Sequence, residues 1–302
     1  MSLPINIFTP GEAAILLGMV ALLGACMGSF INCLAWRMVH GESVLHGRSH
    51  CPACDHALGP LDLVPIVSWL ALKGRCRHCK APISPRYALV EVVMAIVFVA
   101  LAVVHGFGIP MLAYMALATI LMGAALVDLD TFTIPNGFVI AALLVWAASV
   151  GFMAPPANGS FGVGSLFVSL TGFGWASVAL DGLAGGLGVG GGILLFSIVF
   201  DAVTKRASLG GGDVKLLFAV GLFLGLAGSL LNLLIACIAG LVFALVRGLS
   251  ASPDAVADGM VNSGSENFRT KAIPFGPAIS FATVLTLLAG PAALTWYTGL
   301  FL

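Results

Sequence analysis

Eight apolar stretches, each close to the length of a membrane crossing, constrain this chain more than any other feature. They lie near 13–36, 87–105, 110–127, 137–153, 182–200, 214–227, 229–247 and 275–298. A helix needs about 20 apolar residues to cross the hydrocarbon core. Backbone polar groups in that core must be bonded internally, which selects helices. The fold expected is an all-α polytopic membrane protein of about eight transmembrane helices. Composition agrees, with 60% of the 302 residues hydrophobic and 9% charged, where soluble domains carry about a quarter. The sixth stretch is short and glycine-rich, so its limits are soft. The first lacks a cationic leader and is too long for a cleavable signal peptide.

Charge placement orients the chain. Arg37, Arg48, Lys73, Arg75, Arg77, Lys80 and Arg86 lie between the first two stretches. Lys205 and Arg206 follow the fifth, Lys215 opens the sixth, Arg247 ends the seventh, and Arg269 and Lys271 precede the eighth. With eight crossings all 13 basic residues share one side. The positive-inside rule makes that side the cytoplasm, and both termini then face outward. The 13 acidic residues cancel the net charge, and no nucleic-acid partner is expected. Residues 37–86 read as a small cytoplasmic insertion between helices 1 and 2, 154–180 as an external loop, and 250–272 as a cytoplasmic loop. The organisation expected is two spans with their insertion over 13–105, followed by a membrane core over 106–302. No inverted duplication of the transporter kind is visible.

The insertion carries two CxxC pairs, Cys51 with Cys54 and Cys76 with Cys79. Zn²⁺ takes four ligands in a tetrahedron, and each tight CxxC turn supplies two thiolates. Neighbouring Arg and Lys favour the thiolate form, and a cytoplasmic location argues against disulfides. With all four positions filled by cysteine, a bound ion keeps no open place for water. Cys26, Cys33 and Cys237 lie in apolar spans and read as small buried hydrophobes.

Ionisable groups inside apolar spans are expensive and functional by default. Asp128 and Asp130 stand where the third stretch meets the cytoplasm, and Asp213 at the mouth of the sixth, after Gly210, Gly211 and Gly212. Asp130 reads first as a solvated interface residue; Asp128 is harder to dismiss. Glycines let the backbone turn and approach a neighbour or substrate closely. Two carboxylates brought together share one proton, which makes one a base for water and the other an acid. That is aspartic-protease chemistry.

Gly210 to Asp213 form G-x-G-D, and Asp128 lies seven residues ahead of Pro135 in DLDTFTIP. This arrangement resembles the type 4 prepilin peptidases, the GxGD membrane aspartyl proteases of bacteria. GSFINCLAWR (28–37), VPIVSWLALKGRCRHC with the CxxC pairs, APISPRYALVE (81–91) and IPFGPAI (273–279) resemble further motifs of that family in the same order. The matches cover nearly the whole chain. The resemblance implies cleavage of short basic leaders from type IV prepilins and type II secretion pseudopilins, at the cytoplasmic face of the inner membrane. It also implies methylation of the new N-terminal amine from S-adenosylmethionine, an activity of the members that bear the CxxC segment. The family's catalytic aspartates carry over to Asp128 and Asp213, with Asp130 secondary. Gly210, Gly212 and Lys215 belong to the same loop; Lys215 can hold Asp213 ionised or snorkel to the interface. Arg37 and Glu91 flank the cysteine segment and are candidates for the methyl-transfer step. Asp55 and Lys80 depart from relatives, which often have glycine after each CxxC pair.

Other features mean less. Gly186, Gly188 and Gly191 spell G-x-G-x-x-G, but no strand precedes them. Gly182, Gly186 and Gly190 recur every fourth residue, which suits close helix packing. Asp181 reads as interfacial. Three rival functions stay open: a peptidase without methyl transfer, a cation transporter using the intramembrane acids, and an assembly subunit whose zinc knuckle only docks. Transporter acids sit near the midplane on broken helices, whereas these sit at cytoplasmic ends. Oligomeric state is left open.

Overall fold

The computed structural model describes residues 3–44, 46–153, 174–205, 210–250 and 274–299. Most of the expected loops at 154–180 and 250–272 lie outside these residues, as do Ser208 and Leu209 ahead of the glycine triplet. Among the described residues the regular elements are helical. The α-helices are α1 (Pro10–His40), α2 (Val67–Ala71), α3 (Pro85–His105), α4 (Ile109–Thr131), α5 (Asn136–Ser149), α6 (Gly174–Gly185), α7 (Gly192–Thr204), α8 (Gly211–Ser250) and α9 (Gly276–Gly299). A π-helical turn, Gly186–Gly191, joins α6 to α7.

Among the described residues six segments are long and apolar enough to cross a membrane: α1, α3, α4, α6 with α7, α8 and α9. A shorter apolar segment covers Asn136–Phe152. The chain is a multi-pass membrane protein, and its apolar helices fall on the stretches expected. The stretches at 214–227 and 229–247 are two helices within α8 that meet at Gly225, where the backbone is not helical (φ 67°, ψ −177°). Ser229 Oγ reaches the Gly221 carbonyl at 3.4 Å across this break, which a straight helix could not allow. Each of the eight apolar stretches thus falls on an apolar helical segment, two of them within α8. The end of the expected external loop is also helical, as the start of α6.

The chain divides into two compact units, Met1–Val127 with Leu144–Met153, and Asp128–Leu143 with Ala154–Leu302. In the first, α1 begins on a capping box. Glu12 N–H donates to Thr9 Oγ1 at 3.4 Å, Thr9 N–H donates to Glu12 Oε2 at 2.9 Å, and Pro10 occupies the first turn. Such a box satisfies helix-end donors reciprocally. α1 then packs on α3 through Gly24 and Gly28. A Cβ at Gly24 would lie 2.6 Å from the Met94 carbonyl oxygen, and one at Gly28 would lie 2.8 Å from Glu91 Cα. Small residues four apart let backbones touch where lipid supplies no hydrophobic drive. Asn32 Nδ2 adds a 3.1 Å bond to the Tyr87 carbonyl.

In the second unit the same device recurs between α6, the π turn and α8. Cβ atoms at Gly185 and Gly190 would fall within 2.8 Å of α8 backbone atoms at Gly225 and Phe218. The close packing expected from the glycine repeat is what the structure has: Cβ atoms at Gly182, Gly186 and Gly190 would all lie within 3.0 Å of α8 atoms. Asp181 is not simply interfacial: its Oδ1 accepts the Leu226 N–H at 3.3 Å, beside the break at Gly225. Cys26 and Cys237 are exposed on helix surfaces and Cys33 is half-buried, so these thiols are not core hydrophobes.

Candidate active site and metal centre

Asp128 lies in the last turn of α4 and Asp213 in the first turn of α8. Residues two apart on a helix are rotated by about 200°, so the two acids of D-x-D face opposite ways. Asp128 is buried and Asp130 exposed. Burial leaves Asp128 in need of a donor, and Gly276, the first residue of α9, supplies one: its N–H reaches Asp128 Oδ2 at 3.0 Å. A side chain at Gly276 could not coexist with this bond, because a Cβ would lie 2.7 Å from the same oxygen. The P-F-G-P stretch therefore acts by delivering a helix N-terminus to Asp128. Helix N-termini have unsatisfied N–H groups and a partial positive charge, both suited to a carboxylate.

Asp213 is half-buried. Its N–H donates to the Gly210 carbonyl at 3.0 Å, which starts α8. The three glycines serve different ends. A Cβ at Gly210 would sit 3.0 Å from Asp213 Oδ2, and one at Gly212 would sit 3.1 Å from Ile134 Cβ, while Gly211 has nothing within 4 Å. The close neighbours are thus the carboxylate itself and Ile134 in the α4–α5 connection. The carboxylates of Asp128 and Asp213 are near enough for the Asp128 charge to act on Asp213. Lys215 turns elsewhere: its Nζ donates to Asn136 Oδ1 at 3.0 Å.

No local signal in the sequence ties Gly276, Ile134 or Asn136 to the two aspartates, although Pro135 and Asn136 read as the start of the fourth span. Gly276 was visible within the P-F-G-P motif, but nothing local says that its amide meets an aspartate 148 residues away.

In the insertion each CxxC forms a tight knuckle. Cys51 N–H bonds the His56 carbonyl at 3.0 Å, and Cys76 N–H bonds the Ala81 carbonyl at 2.9 Å. Asp55 (φ 56°) and Lys80 (φ 61°) take left-handed backbone in equivalent places. This geometry explains a preference for glycine there. The four sulfurs lie within 4.8 Å of one another, with Cys51 Sγ to Cys79 Sγ at 3.9 Å. Tetrahedral Zn–S bonds of about 2.3 Å would separate sulfurs by about 3.8 Å, so the set fits a metal ion of that kind. The Cys79 and His78 backbone amides draw the Cys76 thiol down to about 7. Cys54, against the pull of the His56 amide, is pushed up to about 11 by desolvation and the sulfurs of Cys79, Cys51 and Cys76. The Arg77 guanidinium, 2.7 Å from Asp62, holds that carboxyl below its ordinary range.

Arg37 and Glu91 have structural occupations here. Arg37 is buried and donates to the Ser43, His46 and Gly47 carbonyls at 3.3, 3.5 and 3.1 Å. Glu91 Oε2 accepts the Ile66 N–H at 2.7 Å, where Ile66 itself is left-handed (φ 63°).

Residues 22–105 match the family described as bacterial peptidase A24 N-terminal domain, and residues 115–245 match the type IV leader peptidase family. The chain is 32% identical over 261 residues to the prepilin leader peptidase/N-methyltransferase of Aeromonas hydrophila, spanning 84% of this chain and 76% of that protein. It is 30% identical over 285 residues to the type 4 prepilin-like proteins leader peptide-processing enzyme of Escherichia coli, spanning 87% and 90%. Against the prepilin leader peptidase/N-methyltransferase of Bacillus subtilis it is 27% identical over 283 residues, spanning 93% and 98%. No solved structure matches the chain.

Proposed function

The chain belongs to the type IV leader peptidase family, and we propose that it cleaves the basic leader from type IV prepilins and type II secretion pseudopilins, then methylates the new N-terminal amine. Asp128 and Asp213 are the catalytic pair in this reading. The observation that carries it is their approach from two helix ends, within electrostatic reach of one another. Like charges that close share one proton. The ionised member draws a proton from water, and that water attacks the scissile carbonyl. The protonated member supports the developing oxyanion and then protonates the leaving amine. Gly276 N–H positions Asp128 by its bond to Oδ2. Asp130, exposed on the opposite side of its helix, is secondary, and Lys215 anchors the first turn of α8 to Asn136.

The side carrying the basic residues is the cytoplasm, so leader and active site meet there, with the substrate's apolar segment in the bilayer. Cys51, Cys54, Cys76 and Cys79 would hold Zn²⁺ and, through it, tie the two knuckles together. Four thiolates complete a tetrahedron, so the ion's contribution is to folding. S-adenosylmethionine supplies the methyl group, and residues 13–105 carry that activity while 106–302 carry the peptidase.

The test is cleavage of a prepilin-like peptide by the full chain in liposomes, comparing wild type with Asp128→Asn and Asp213→Asn. Loss of cleavage in both, with unchanged helicity and metal content, supports the pair. Full activity in either removes that residue from the mechanism and brings Asp130 forward. A wild type that cuts no such peptide returns the transporter and docking readings.

A further inference from the structure

We propose that Leu61–Leu70 of the cysteine-bearing insertion is an interfacial anchor that seats in an anionic lipid surface. The stretch reads LDLVPIVSWL and crosses nothing, yet Leu61, Leu63, Val64, Val67 and Leu70 are 38% to 75% exposed. Scattered single exposed leucines need no explanation; five large apolar side chains within ten residues do.

The depth of the stretch is set by its bonds to α3. Ile66 N–H is held by Glu91, the seventh residue of that helix. At 1.5 Å per residue Glu91 lies about 9 Å along from Pro85. The 21 residues of α3 measure about 31 Å, just the thickness of the hydrocarbon core. The Ile66 amide is therefore held beside the first turns of a helix with no length to spare, not above its end. Leu89, exposed on the same helix, begins its outward apolar row with Ile96 and Val103. A second pair of bonds pins the far side of the stretch. Trp69 Nε1 donates to the Ile83 carbonyl at 3.3 Å, and Ile83 N–H donates to the Gly74 carbonyl at 2.7 Å, two residues before α3 begins.

Charge selects the kind of surface. From 48 to 86 there are six basic residues and two acidic ones, Asp55 and Asp62. Asp62 is paired with Arg77. Lys73, Arg75, Arg77 and Lys80 follow the apolar stretch directly and are exposed. Apolar side chains next to a basic cluster are the features that seat a segment among anionic headgroups. A substrate's apolar segment is the rival occupant, but lipid already lies at the level where these bonds hold the stretch. The inference does not depend on the peptidase reading.

The experiment places p-benzoylphenylalanine at Leu61, Leu70 or, as a control, Ala53 of the full chain, in liposomes of phosphatidylethanolamine and phosphatidylglycerol. After irradiation, lipid-mass adducts are expected at 61 and 70 and not at 53. Phosphatidylglycerol should be enriched several-fold over its share, and a Lys73→Glu/Arg75→Glu variant should abolish the enrichment. Adducts to a second copy, or to an added prepilin peptide in preference to lipid, overturn the proposal, as does equal lipid labelling at 53. The unsubstituted chain gives an independent reading by hydrogen exchange. Amides of 61–70 should exchange several-fold more slowly in phosphatidylglycerol-containing nanodiscs than in phosphatidylcholine ones, and equal rates overturn the anionic assignment.

Discussion

Single glycines around the two aspartates differ in what they exclude, and that difference is testable. Gly276→Ala would push a methyl group against Asp128 Oδ2. Displacing a reacting group by about 1 Å can cost on the order of 100-fold in rate, so a loss of that size is expected in steady-state cleavage. Gly212→Ala needs Ile134 to give by a few tenths of an ångström and should fall between. Gly211→Ala faces open space and should leave the rate within about twofold, the range of an unconstrained surface change. At the metal knuckles, Lys80 holds a left-handed backbone that disfavours side chains by about 1–2 kcal/mol. Lys80→Gly should therefore stabilise the insertion, by about 0.5–1 kcal/mol once glycine's extra unfolded freedom is counted. The thermal midpoint for metal release measures it. The aspartates and cysteines were legible in the sequence because their residue types are anomalous in their surroundings. The Gly276 contact was not, since its partner is remote in the chain.

Segment α8 shows an element boundary that hydropathy finds to within a few residues. Hydropathy places two apolar stretches on either side of residue 228, and the backbone breaks at Gly225. A broken helix frees N–H groups that lipid cannot satisfy, and Asp181 accepts the one on Leu226. Asp181→Leu would orphan that donor at a cost of about 1–3 kcal/mol, lowering the thermal midpoint in liposomes. Asp181→Asn keeps an acceptor oxygen and should retain most of the stability; equal losses in both would deny the capping role. In the insertion the Asp62–Arg77 pair carries a pH dependence. Asp62 has a lowered folded pKa, so its contribution is present above the unfolded value of about 3.9 and is lost as pH falls through the folded one. The difference in hydrogen exchange at 59–66 between wild type and Asp62→Asn should stay constant from neutral pH down to about 4 and shrink only below it, a comparison that cancels any acid loss of metal common to both.

At the scale of the molecule, the proposed assignment of methyl transfer to 13–105 and cleavage to 106–302 makes the two activities separable. Stripping metal with a chelator should unfold the knuckles around Cys51–Cys54 and Cys76–Cys79, since metal binding and folding of such sites are one equilibrium. Methyl transfer should be lost while cleavage of a prepilin-like peptide persists. Parallel assays of both reactions on one chelated sample decide it, and equal loss of the two would join the activities.

Hydropathy by itself determined that the chain is helical and membrane-embedded, because burying a backbone in lipid has so few solutions. CxxC spacing and the G-x-G-D loop likewise determined the chemistry on offer, since both are local and depend on residue type. Tertiary structure alone decided which atoms meet: that α9 brings an amide to Asp128, that Asp181 caps a break 45 residues away, and that Glu91 holds the Ile66 amide. Each of these contacts spans a long separation and satisfies a polar group that has no water to turn to. A sequence read without its fold shows the unsatisfied group but not its partner.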